Sequence, residues 1–454
     1  MIPPRNPPNE AAMMRRHAIF ANIFAFAAVA ALRVPALGAD AAMFRGDLGH
    51  TGIYQSAPVM HQAQVKWKFH TGAYVNSSPA VSQGVVYVGS ADGYMYALDA
   101  GSGKTIWRFA TGSRVVSSPA VSAGVVYFGS YDGNFYALNA ADGKRLWKFK
   151  TGGERRFEGT HLHGSQPAPE TMPDPFDVYL SSPAIWHDTV YFGSGDGNIY
   201  ALSAKTGEKV WSFKTGDIVH ASPAIDNGML FVGSWDSYFY ALDALSGAVK
   251  WSFKTGEDPD IHNQVGIQSS AAIMGGTVFF GCRDSHLYAL DEETGGKKWS
   301  LDMHGSWVVG SPAVRDGKVY FATSDSGLFY AVKASDGSTI FSEDFHHWPT
   351  FSSPAIAGDT LYLGSWSGAL TAIDLAKQKR AWSFQTDASK RLGPELTKAD
   401  GTPNYDVAYA SNFYDDMVTG FARMMTVGAF LSSPTIVDGV IFIGSTDGNV
   451  YALD

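Results

Sequence analysis

Cysteine is almost missing from this sequence. Its 454 residues contain one, Cys282, so no disulfide can form within the chain. A C-x-x-C-H haem attachment and a cysteine-based zinc cluster are excluded with it. Cys282 follows a strand-like run and reads as a small buried hydrophobe. No cysteine lies beside the apolar segment near the start, so no lipid anchor is expected there. Charge is also sparse, at 17% Asp, Glu, Lys and Arg, and no basic block occurs. The formal net charge of −9 argues against nucleic acid or an anionic membrane surface as the main partner.

Long apolar runs are lacking too. The longest, Ala18 to Leu32, is too short to span a bilayer comfortably. It follows Met13-Met14-Arg15-Arg16-His17 and precedes the small residues of "PALGADA". A basic start, an apolar centre and a small-residue end predict a secretory signal over residues 1–39, cleaved near Gly38 to Ala41. That segment holds four arginines and one glutamate, so its removal takes the charge from −9 to −12. The expected product is an acidic periplasmic or secreted protein with no membrane anchor.

Glycine (49) and aromatics (13%) are plentiful, the composition of short strands and tight turns. A repeat organises them. Trp67, Trp107, Trp147, Trp211, Trp251, Trp299 and Trp382 end similar phrases, and Phe341 stands between the last two at spacings of 40, 40, 64, 40, 48, 42 and 41. One unit reads as four strands: "SSPAVS", "GVVYFGS", "NFYALN" and "RLWKFKTG", with Asp132-Gly133 as a hairpin turn. Such a sheet cannot bury both faces alone, so the units pack around an axis. First strands near 77, 117, 181, 221, 269, 311, 352 and 432 predict an all-β, eight-bladed β-propeller. The eighth unit stops at "NVYALD", one strand short, while "QVKWKFHTG" (64–72) has the tryptophan phrase with nothing before it. The N-terminal strand is therefore expected to complete the last blade and remove two open edges.

The phrases "ALDAGSGKTIW", "ALSAKTGEKVW" and "ALDALSGAVKW" resemble the tryptophan-docking repeat of pyrroloquinoline quinone (PQQ)-type propellers, the quinoprotein alcohol dehydrogenase-like superfamily. The resemblance spans 43–454. "FRGDLGHTGIY" (44–54) also looks like the leading segment of exported members. In blade six, Phe341 and "VKASDG" depart from the pattern, so looser docking is expected there.

Repeated residues build the scaffold, and function is sought where the repeat breaks. Three insertions, 153–180, 257–268 and 388–430, each follow a fourth strand and emerge on one face, the top, with the "GSxDG" turns; the opposite face is expected to carry short, plain turns. The first contains His161, His163, Glu170, Asp174 and Asp177. Its two histidines could share a side of an extended segment and hold a metal with a carboxylate, or be ordinary residues of a proline-rich loop. The third mixes polar and aromatic residues, with a short helix expected within "DVAYASNFYDDMVTGFARMM". Asp415, Asp416 and Arg423 face the channel mouth or solvent.

Five tryptophans lie off the repeat. Trp186 falls on the bottom. Trp235 and Trp366 occupy turns of blades four and seven, and Trp307 and Trp348 precede the first strands of blades six and seven. Arg283 holds the turn place in blade five. With His220, His262, Asn263, Gln264, Gln268, His346 and His347 they predict an aromatic, hydrogen-bonding rim that binds a small aromatic or anionic ligand, or plugs the channel.

Two main functions follow. One is a propeller that binds a small ligand or a protein partner at the top of blades four to seven. Likeness to the propeller of the outer-membrane barrel-assembly machinery implies a peptide partner. The other, implied by likeness to quinoproteins, is an alcohol-oxidising dehydrogenase carrying PQQ with calcium. Those enzymes are longer and place adjacent cysteines over the quinone, which a chain with one cysteine cannot. No cytochrome motif is present. A polysaccharide hydrolase or lyase is a third reading, but no carboxylate pair singles itself out.

Overall fold

The computed structural model describes residues 40–256 and 266–454. The expected signal segment lies outside the described residues, as do His262, Asn263 and Gln264. In the first blade, Ala80–Ser82, Val85–Gly89, Tyr94–Asp99 and Thr105–Ala110 pair antiparallel in chain order. The same sheet recurs to give eight blades. Second strands are buried on both faces (Val126, Tyr127 and Phe128 in blade two), because each blade is covered by its neighbours. Fourth strands alternate, with the aromatic turned inward and Lys or Arg outward. A bulge just before the aromatic leaves Ile106 and Val210 exposed.

The serine before Pro79 and its counterparts, Ala271 in blade five and a proline in the others, has a structural use. The backbone N–H of Ser78 donates to Ser118 Oγ at 2.9 Å, and the same link runs on through Ser182, Ser222, Ser270, Ser311, Ser353 and Ser433. Ser433 N–H then donates to Ser78 Oγ at 2.9 Å. A hydrogen-bonded circle thus surrounds the channel.

The expected closure is present. Val65–His70 pairs antiparallel with Asn449–Leu453, Trp67 opposite Ala452. Each repeat tryptophan donates its indole N–H to a carbonyl of the following blade, Trp67 to Ala100 at 2.9 Å and Trp107 to Ala140 at 2.8 Å. Blade eight lacks the turn that would supply this acceptor. Val59, just ahead of the closing strand, supplies it instead: its carbonyl accepts from Trp382 Nε1 at 3.0 Å.

The exception at Phe341 has a steric cause. Six tryptophan rings lie flat on a glycine of the next blade, so tightly that a Cβ on Gly103 would sit 2.7 Å from Trp67. Gln378 takes that glycine's place after blade six, at φ 54°. Its Cβ occupies the space an indole needs, and the smaller phenyl ring stands there.

The bottom is not plain. The leading segment 41–54 runs along the inner edges of the first strands. Ala42, Leu48, Gly49 and Thr51 accept from Val121, Ile225, Ile273 and Val314. Ile53–Tyr54 adds a parallel fifth strand to blade seven, and buried Arg45 donates to the carbonyls of Pro312 and Pro354. This segment closes the end of the channel remote from the insertions. No helix among the described residues is long and apolar enough to cross a membrane.

Candidate functional site

The first and third insertions fold onto each other. The third carries helices α1 (Asp387–Leu396), α2 (Tyr405–Ala408) and α3 (Tyr414–Met425). Thr386 caps α1, its hydroxyl accepting from Ser389 N–H at 3.0 Å. The expected short helix is α3, with α2 ahead of it. Gln166 N–H donates to Asn412 O at 2.9 Å, Tyr414 N–H donates to Gln166 O at 3.0 Å, and Phe176 meets Phe421 edge-on at 5.1 Å. Together the two segments form a cap over the top face.

Beneath it the aromatic rim is covered. Trp235 is 2% exposed, with Phe157 of the first insertion stacked on it at 4.5 Å. The Arg283 guanidinium lies between Trp235 and Trp307, 4.6 and 4.0 Å from their ring centres. Its Nη1 donates to Asp174 Oδ2 at 2.7 Å, and the other oxygen of Asp174 lies 3.1 Å from His163 Nε2. Burial alone would raise the Asp174 carboxyl. Arg283 and His163 outweigh it and hold the group below the usual carboxylate range. Among the described residues no group of three or more His, Cys, Asp or Glu side chains could hold a metal ion.

His220 forms a second buried set. Its Nδ1 lies 2.7 Å from Asp177 Oδ1, and Nε2 lies 3.7 Å from Glu154 Oε2. Burial opposes its charge, yet the two carboxylates push its pKa up to about 9. Gln268 Nε2 donates to Phe176 O at 3.2 Å. Trp348 belongs to the same buried cluster as Trp307 and Trp366 and holds the third insertion down, Nε1 donating to Gly401 O at 3.0 Å.

A cavity of about 530 Å³ remains under the cap. Trp307, Trp366, Phe176, Tyr405 and Tyr409 wall it, and Asp325 and Asp406 supply its carboxylates. Sequence reading names the two tryptophans but misses Asp325. In six blades the turn aspartate accepts from a tyrosine hydroxyl on the third strand, as Asp92 does from Tyr96 at 2.7 Å. Blades six and seven have Ser326 and Ser367 instead. The blade-six turn is also one residue longer: six residues separate paired Ala322 and Phe329, against five between Gly89 and Met95. The added residue is Asp325, released from the structural bond and open to the cavity. Asp325 is exposed to solvent, yet the protein packed around the cavity mouth desolvates it enough to raise its pKa, while His163, Ser324 and Arg283 oppose the rise. The longer hairpin and the missing aspartate–tyrosine pair are the sequence signals that mark it.

Comparison with known proteins agrees with this architecture. A family model described as outer membrane protein assembly factor BamB matches residues 60–172, 177–303 and 262–454. No curated relative matches the chain. Among solved structures, BamB from Moraxella catarrhalis is similar at 15% identity and TM-score 0.61, covering 87% of this chain and 98% of its own. A europium-containing methanol dehydrogenase aligns at 15% identity and TM-score 0.62, covering 91% and 98%. The quinohemoprotein alcohol dehydrogenase of Comamonas testosteroni gives 15% and 0.62, covering 91% and 80%. At such identities the likeness is one of fold. With the family model matching most of its length, the chain belongs to the PQQ-like propeller family described as outer membrane protein assembly factor BamB.

Proposed function

We propose that this is an exported propeller that binds a small ligand under the cap, at the top of blades six and seven. The supporting observation is the aromatic cavity into which blade six extends an additional carboxylate, Asp325. An aspartate freed from the repeat's hydrogen bond and partly desolvated has no scaffold role that the other blades need. Aromatic faces and carboxylates favour a neutral or cationic aromatic ligand. Arg283 is already met by Asp174, which moves the proposal away from an anionic ligand. Export rests on the basic, apolar and small-residue pattern of residues 1–39.

The quinone reading asks more of the site. PQQ is a planar tricarboxylate held through a divalent cation by carboxylate and amide oxygens. The face of Trp235 is taken by Phe157 and Arg283 is paired with Asp174. No cation-holding cluster exists among the described residues. These residues do not fit the quinone and its cation. A protein partner is the second reading, from the family's description as an assembly factor. It is supported by Phe413 and Val407, exposed apolar residues of the cap.

Titration with phenethylamine, followed by tryptophan fluorescence, tests the first reading. A saturable response is expected, weakened at least about tenfold by Asp325→Asn or Trp307→Ala. PQQ with calcium should give no saturable response. An amine signal absent from the parent protein, or unchanged in both variants, contradicts the site.

A further inference from the structure

We infer that the chain carries a second site, for an anionic amphiphile, on the other side of the cap over blades one, two and eight. A cavity of about 390 Å³ lies there between the two insertions, within the range of small-molecule pockets. Its inner wall is apolar: Val178 from the first insertion, Val418, Phe421 and Met425 from α3, and Leu431. Its remaining wall carries two guanidinium groups, Arg114 ahead of blade two and Arg156 of the first insertion.

Neither arginine has a carboxylate within ion-pair distance among the described residues. Arg114 is held in place by neutral aromatics. Its Nη1 donates to Tyr74 Oη at 3.0 Å, and its guanidinium lies 4.3 Å from the Tyr131 ring centre. The nearby carboxylates serve other groups. Asp177 is bound to His220, and Glu154 accepts from Ser194 Oγ at 2.7 Å and Gly195 N–H at 2.6 Å. Two unneutralised cations on one apolar cavity run against the net charge of the chain. Folding gains little from placing them there, since an uncharged side chain would line the cavity at lower desolvation cost. An anionic headgroup met by two planar donors, with an aliphatic tail against α3, satisfies both walls. On the apolar wall Val178, Val418, Met425 and Leu431 outnumber the one aromatic, Phe421, which favours a chain amphiphile over an aromatic acid.

Calorimetric titration of the full chain with dodecanoate tests this. One-to-one binding is expected, with affinity falling at least about tenfold in Arg114→Met and in Arg156→Met. Ala422→Phe, at an exposed α3 position on the cavity, should block binding while leaving the thermal unfolding midpoint unchanged. Dodecyl phosphate distinguishes the headgroup sources: tighter binding than dodecanoate assigns a phosphate, weaker binding a carboxylate. Dodecanol binding as tightly as dodecanoate, or both arginine variants and Ala422→Phe binding like the parent, would overturn the site.

Discussion

Arg283 Nη1 lies 2.7 Å from Asp174 Oδ2, with both side chains 1% exposed. This pair fastens the first insertion to blade five and fixes the guanidinium between two indoles. Removing one partner strands the other charge. Asp174→Ala is therefore expected to cost about 3–5 kcal/mol, and the double change Arg283→Met with Asp174→Leu far less. Urea unfolding of the parent and the two variants measures this. The lowered folded pKa of Asp174 fixes the pH sign. Its contribution is present above the ordinary carboxylate range and is lost only as pH falls through the lowered value. Acidification from neutrality to about pH 5 should leave it intact.

His220 carries the opposite sign. Its pKa is raised to about 9 by Asp177 and Glu154 against burial. The stability it contributes is full below an unfolded value of about 6.5 and is lost as pH rises through about 9. Unfolding midpoints should fall over that window by the equivalent of roughly 3 kcal/mol. In His220→Gln that slope should largely vanish. An unchanged slope would show that the imidazole is neutral in the fold.

Phe341 and Gln378 form a pair that can be tested as one. Phe341→Trp alone drives an indole against the Gln378 Cβ and should cost about 1–3 kcal/mol. Combined with Gln378→Gly, the same change regains the flat packing of the other blades and an indole hydrogen bond worth about 1 kcal/mol. Equilibrium unfolding of the two single variants and the double variant should therefore show strong favourable coupling. Additive effects would refute the steric account.

This pair also shows how far the sequence could be read. Blade number, strand order and closure by Val65–His70 were legible because each depends on a local phrase repeated eight times. Phe341 was visible as a departure, but the reason for it lies in Gln378 of the next blade. Of the rim tryptophans, Trp235 packs on Phe157, and Trp307 and Trp366 pack on Phe176. That Phe157 and Phe176 would cover them depended on how two insertions, far apart in sequence, fold together. Helix α1 was hidden by Gly393-Pro394, which reads as a breaker. Asp325 was overlooked because one added residue in a turn looks like ordinary loop variation until strand pairing shows the bond it has lost.

The most direct test of a ligand site under the cap is anomalous diffraction from crystals soaked with 4-bromophenethylamine. The bromine peak is predicted inside the cavity between Trp307 and Trp366, with the ammonium group on Asp325, and should be absent in Asp325→Asn crystals. Bromine bound only outside that cavity, or the same peak in the variant, would contradict the account.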